Sequence, residues 1–254
     1  MKLILNADDF GLTESVNNAI VDCFKAGVVK STTIMMNQPG TEHAVGLYKQ
    51  GLIPEVGLHF TVTAGRPLSK PEEVSTLVDD AGNFLSQNQL FSKHDVCPQQ
   101  VAKELRAQYQ AAIDVGLKIN HIDSHHFAGV FSPLKVAFIT VANEIGLPVR
   151  RVDNVTPGQD LLNVATPDAF DMSFFADGAD EKHLKTLLSA YKEQMPSGIL
   201  ELMCHPADTV TAELNTLSSY CEKRVEERTI LTSPALLEWM KAEGVEPVGY
   251  SYFD

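Results

Sequence analysis

Asp8 and Asp9 stand side by side directly after an apolar run. His59 closes a second such run, three histidines and an acid fall within residues 121–126, and Glu201 precedes His205 by four positions. Two adjacent carboxylates are costly to bury together unless a cation or a shared proton compensates them. Imidazoles with a carboxylate and an open coordination position are the donor set of a hydrolytic metal site. Such a site needs one acid on the metal and another free to take a proton from water, and neighbouring acids can divide those roles. A further histidine, away from the metal, can protonate a leaving group. Taken singly, each group has a plainer account. Asp8-Asp9 can be a turn and helix cap, His59 a core histidine bonded to backbone, His126 a local hydrogen-bonding residue, and His205 before Pro206 a strand terminus. Their joint occurrence favours one shared site.

The elements around them would put them on one rim. Residues 2–7 read as a buried strand ending at the acid pair, too short for a signal sequence and without a cleavage site. A helix opening at Thr13 or Glu14 and running to about Lys25 carries Val16, Ile20, Val21 and Phe24 on one stripe. Strands are expected over 31–36 and 55–60, the latter with His59 near its end, and a helix over 41–50. The glycine- and proline-punctuated stretch 61–98 reads as a functional excursion over the C-terminal mouth of the sheet in preference to a plain surface insertion. After a helix over 101–115, side chains alternate along 119–126, so His121, Asp123 and His125 share a face. Helices follow over 133–145 and 181–194, with short strands over 149–152 and 172–175 and an irregular stretch over 153–171. In the strand over 199–205, Glu201, Met203 and His205 share a face opposite Leu200, Leu202 and Cys204. A mobile loop over 207–221, one helix over 224–242 and a strand over 247–252 complete the reading. Strands alternating with helices imply a parallel sheet, whose sites form at strand C-termini. The expectation is a single barrel-like α/β domain over 1–254.

Composition narrows the partners. With 254 residues and 44% hydrophobic side chains the chain can bury a substantial core, and a formal charge of -13 excludes nucleic acid and anionic membranes as ready partners. The four cysteines, Cys23, Cys97, Cys204 and Cys221, form no CxxC pair, so neither a zinc ribbon nor a disulfide framework is expected. A cytoplasmic location follows as the expectation.

Four ordered motifs carry a resemblance: Asn6-Ala7-Asp8-Asp9-Phe10-Gly11, Gly57-Leu58-His59-Phe60, His121-Ile122-Asp123-Ser124-His125-His126 and Glu201-Leu202-Met203-Cys204-His205-Pro206. Together they resemble the motifs of the YdjC-like carbohydrate deacetylases, of the chitooligosaccharide deacetylase type, over the length of the chain. The resemblance implies a distorted (β/α) TIM-like barrel similar to the polysaccharide deacetylases, a homodimer, and removal of N-acetyl groups from small sugars such as chitobiose or its phosphate. It implies Asp9, His59 and His125 as metal ligands, Asp8 as general base and His205 as general acid. His121 and Asp123 would orient ligands from behind, His126 would support the ligands or stand near the substrate, and Glu201 would hold His205 or make a plain buried hydrogen bond. Phe127 replaces a third histidine that family members often carry, which removes any substrate contact made by that ring. The implied ion is magnesium, whereas two imidazoles suit zinc, manganese or iron better.

Two other classes remain open from the sequence. The same rim could serve a metal-dependent phosphoesterase or cyclic amidohydrolase, with Arg66, Arg150 and Arg151 as anion clamps, although at least two of these read as surface charge. The chain could also be a non-catalytic sugar-binding regulator, which the presence of both Asp8 and His205 disfavours.

Overall fold

A computed structural model describes residues 1–132, 134–151 and 162–253. Among them, strands β1 (Lys2–Phe10), β2 (Ser31–Ile34), β3 (Val56–Phe60), β4 (Ile119–Ser124), β5 (Ala169–Asp171), β6 (Ile199–Cys204) and β7 (Glu246–Pro247) form one parallel sheet. Helices α1 (Glu14–Ala26), α2 (Thr41–Lys49), α3 (Gln87–Ser92), α4 (Pro98–Asp114), α5 (Lys135–Ile145), α6 (Glu181–Gln194), α7 (Ala212–Leu217), α8 (Glu222–Leu231) and α9 (Pro234–Ala242) connect them. The strand order is β4-β3-β2-β1-β6-β5, with β7 beside the first residues of β1. The curled sheet is a half-barrel, the α/β architecture expected from the sequence. None of the described helices is long and apolar enough to cross a membrane.

Alternation along the strands divides this sheet into an oily face and an ionisable one. Leu3, Leu5 and Ala7 of β1, Val56, Leu58 and Phe60 of β3, and Leu200, Leu202 and Cys204 of β6 join the main apolar core. Asn6, Asp8, Thr33, His59, His121, Asp123 and Glu201 stand on the other face, all of them buried. The helices are cut to cover the oily face. In α1, the Thr13 side chain caps the Val16 amide, the stripe Val16, Ile20, Val21 and Phe24 is buried, and Gly27 ends the helix with φ +86°. Burial of each such side chain contributes about 1.5–3 kcal/mol.

Gly57 shows how tightly the polar face is filled. A Cβ there would lie 2.3 Å from the His121 ring. That ring is stacked on Tyr250 at 3.8 Å and cannot retreat. Gly57→Ala is expected to destabilise the protein by about 1–3 kcal/mol; an unchanged urea midpoint would show that His121 has room to move.

Several elements differ from the sequence reading for local reasons. The strand expected over 172–175 lies at Ala169–Asp171, because the Asp171 side chain accepts from the Ser173 amide and turns the chain out of the sheet. The expected helix over 224–242 is two, α8 and α9, since Pro234 cannot donate to the preceding turn and starts a new helix. The final strand over 247–252 is reduced to two residues followed by a 3-10 turn over Tyr250–Phe253. The loop over 207–221 contains α7 and is tied to α1 by Ser15, whose hydroxyl donates to the Thr209 carbonyl and accepts from its amide. Val149 makes a single bridge to Ile122, while Pro133, Val152 and residues 153–161 lie outside the described residues.

Segment 61–98 is anchored from below. Buried Glu104 accepts from the Leu68 and Ser69 amides, and Gln108 bonds both backbone groups of Thr61. From that anchor, Thr63, Ala64 and residues 86–88 reach the cavity described next.

Candidate metal centre and active site

Parallel strands bring all their C-terminal ends to one rim, and the register sets the neighbours. Ala7 pairs with Cys204, so Asp8 falls next to His205, and His59 pairs with Asp123. On a regular strand Asp8 and Asp9 would point to opposite faces. They do not, because Asp9 is left-handed with φ +67° and the β1–β2 register shifts between Ala7 and Phe10. A non-glycine residue held there costs on the order of 1–3 kcal/mol and persists only where its surroundings enforce it. His126 and Phe127, with φ of +55° and +53°, form a second such bend just beyond β4. Strained backbone therefore aims both halves of the site.

Asp9, His59 and His125 converge. His59 Nε2 lies 3.3 Å and His125 Nδ1 3.1 Å from Asp9 Oδ1. That oxygen is buried and, among the described residues, accepts no hydrogen bond. Its partner Oδ2 is held by Arg224 Nη2 at 2.6 Å. Behind the cluster, Asp123 Oδ1 is 2.6 Å from His59 Nδ1, which leaves Nε2 to face Asp9. A buried carboxylate oxygen without a donor, flanked by two imidazole nitrogens, suits a divalent ion bonded at about 2.0–2.2 Å. A second grouping of Asp8, His59 and Asp123 is less suited, since both Asp8 oxygens already accept from Arg150.

Electrostatics agree with that division. Burial opposes the charge on Asp9, but Arg224 and His125 hold its carboxyl well below the usual range. Burial likewise opposes ionisation of Asp8, yet the Arg150 guanidinium at 2.6 and 2.8 Å keeps it ionised and low. Burial works against a charge on His59 too, but Asp123, Asp9 and Asp8 push it up to about 10. A metal entering the site must displace that proton, so its affinity falls as the pH is lowered. Burial lowers His205 to about 4, leaving a neutral ring at pH 7. Its Nε2 is 3.9 Å from Asp8 Oδ2, and its buried Nδ1 has no partner among the described residues.

The other residues expected at the site fall in three places. His126 lines the cavity, its ring tilted against that of His125 with centroids 3.8 Å apart, and is bonded to Thr63 Oγ1. His121 lies deeper and touches no ligand. Its Nε2 meets Asn6 Oδ1 at 3.1 Å, and Asn6 Nδ2 donates to Asp8. Glu201 does not reach His205; it accepts from Arg150 Nε and the Tyr250 hydroxyl. His205 is held instead through its backbone amide, which donates to Glu227. Arg66 bonds the Ala81 carbonyl away from the cavity. Arg150 is neither surface charge nor a free clamp, because it is buried among Asp8, Asp123 and Glu201.

Three contributors were not singled out from the sequence as site residues: Arg224 and Glu227 from α8, and Tyr220, whose hydroxyl donates to Glu227. Only the near absence of an apolar stripe in α8 hints that it turns polar groups inward. The site opens into a cavity of about 540 Å³, within the range of small-molecule pockets.

The parallel half-barrel shares its fold with the polysaccharide deacetylases. A peptidoglycan N-acetylglucosamine deacetylase structure, 10% identical, superimposes with a TM-score of 0.55 over 99% of this chain and 87% of that one, a likeness of fold alone. Residues 2–242 match the YdjC-like protein family, and the chain belongs to it. A carbohydrate deacetylase of Thermoanaerobacter pseudethanolicus is 39% identical over 251 residues, 98% of each chain. A crystal structure from Enterococcus faecalis V583 is 32% identical, with a TM-score of 0.90 over 99% of this chain and 98% of that one.

Proposed function

We propose that the protein is a metal-dependent carbohydrate N-deacetylase that hydrolyses the acetamide of a small acetylated sugar, of the diacetylchitobiose type, to acetate and an amino sugar. The observation that carries this reading is the unpartnered Asp9 Oδ1 between His59 and His125, beside Asp8 and His205 in one cavity. Asp9, His59 and His125 would hold the ion, which supplies Lewis acidity toward an amide carbonyl and acidifies water. Asp8 takes the proton of the attacking water, its orientation fixed by Arg150 and Asn6. His205 is neutral at rest and lies 3.9 Å from Asp8, so it can receive that proton as the reaction proceeds and deliver it to the departing amine. Two nitrogen donors favour zinc or manganese over magnesium. Pairing of two copies and a cytoplasmic location belong to the same reading, by similarity to the family.

Asp123→Asn should weaken metal binding about 10–100-fold, because His59 loses the carboxylate that fixes its tautomer. Competition with a chelating dye measures this, and unaltered affinity would remove Asp123 from the site. The function itself is tested by incubating metal-loaded protein with diacetylchitobiose, with phosphoesters and with cyclic amides. Acetate is the expected product. Phosphate release or ring opening without any acetate would overturn the reading in favour of the other hydrolase classes.

A further inference from the structure

Tyr250 is far from Asp8 along the chain and reaches it in space by two routes. It opens the turn over Tyr250–Phe253 and is only 1% exposed, packed against the polar face of the sheet. Along the first route its hydroxyl donates to Glu201 Oε2 at 2.7 Å, and Glu201 Oε1 accepts from Arg150 Nε at 2.8 Å. The same guanidinium then holds both oxygens of Asp8. Along the second route its ring lies flat on His121, with centroids 3.8 Å apart and planes 6° from parallel. His121 Nε2 meets Asn6 Oδ1, and Asn6 Nδ2 donates to Asp8 Oδ1 at 2.8 Å. Both routes end on one carboxylate.

Tyr250 is itself held firmly. The turn follows β7, which lies beside β1, the strand that carries Asp8. Glu55 accepts from the amide and hydroxyl of Ser251 and from Asn120 Nδ2, so it ties the turn to β4 next to His121. Gly249 lets the turn approach that closely, since a Cβ there would lie 2.2 Å from Glu55 Oε2. Burial and the neighbouring Glu201 charge raise the Tyr250 hydroxyl well above its ordinary range, so it stays a donor. A phenylalanine would fill the same space, and the hydroxyl is therefore the part that packing alone does not require. Tying Arg150 Nε to Glu201 fixes the plane of the guanidinium, and that plane sets the angle at which the Asp8 carboxylate is presented.

Resting on the deacetylase reading, we propose that Tyr250 is a positioning residue for the general base, acting on Asp8 through Glu201 and Arg150 and through His121 and Asn6. It lines no part of the cavity and belongs to neither group of possible metal ligands.

The test is steady-state acetate release from diacetylchitobiose by the metal-loaded full chain, with rates normalised to metal bound. Tyr250→Phe keeps the ring on His121 and removes only the hydroxyl. It should lower kcat about tenfold, with KM within about twofold and metal affinity unchanged. In an Asp8→Asn background, where no carboxylate base remains to be positioned, the same change should alter the residual kcat less than about twofold. Glu201→Gln interrupts the same route at another residue, and its fall in kcat should not add to that of Tyr250→Phe. Parental kcat in Tyr250→Phe, an equal fall in both backgrounds, or additive falls with Glu201→Gln each overturn the proposal while leaving the deacetylase reading in place. No acetate from the parent protein overturns that reading and this proposal with it.

Discussion

Replacing Arg150 with methionine is expected to lower the stability of the protein by about 3–5 kcal/mol at pH 7.5. One guanidinium serves Asp8 at 2.6 and 2.8 Å, Glu201 at 2.8 Å and Asp123 at 3.0 Å, all buried on the inner face of the sheet. Methionine fills much of the same volume but leaves Asp8 and Glu201 without the guanidinium and Asp123 with His59 alone. The deficit should depend on pH with a defined sign. In the parent protein Asp8 is depressed below its unfolded value, so it stabilises the fold above that value and loses the contribution as pH falls toward the depressed one. Without Arg150 the opposing effect of burial prevails at Asp8, whose carboxyl is instead raised. Its contribution is then intact below the unfolded value and is lost as pH rises through the raised one. The gap between the two proteins should therefore be larger at pH 7.5 than at pH 5. Urea midpoints at both values measure it, and a deficit under about 1 kcal/mol, independent of pH, would mean that the acids are compensated by other groups.

Asp8→Asn should depress kcat about 10²–10⁴-fold while the protein still binds its metal with near-parental affinity. The amide keeps the size of the carboxylate and can still accept from Arg150, but it has no capacity to take a proton. The separation of the two effects follows from geometry. Asp9 carries the unpartnered oxygen that faces His59 and His125, whereas both Asp8 oxygens are engaged by Arg150. Steady-state acetate release paired with metal titration gives both readouts. Loss of metal together with activity would place Asp8 among the ligands, and normal turnover would remove it as the base.

The polar rim was legible in the sequence because a parallel sheet puts strand C-termini on one side, and period-two alternation assigns Glu201, Asp123 and His59 to its inner face. Asp9 and His125 were legible as chemistry but not as geometry. Asp9 reaches the site through a left-handed residue and a register shift, and His125 lies just past the end of β4. Arg224 and Glu227 were hidden for a different reason. They sit in a short polar helix, Arg224 215 residues along the chain from Asp9 and Glu227 22 from His205, and only tertiary packing turns them inward. Arg150 read as an anion clamp or as surface charge because nothing local marks an arginine that three distant acids will bury. The break between α8 and α9, by contrast, was written in Ser233-Pro234, since proline starts a new helix there.

The most direct test of the account is to strip the protein with a chelator, confirm the removal by metal analysis, and follow acetate release from diacetylchitobiose as zinc or manganese is returned. The predicted result is no acetate from the stripped protein and a rise in rate that saturates at one ion per chain, with Asp9→Ala failing to recover at the same ion concentration. Full acetate release by protein shown to hold no metal would contradict it.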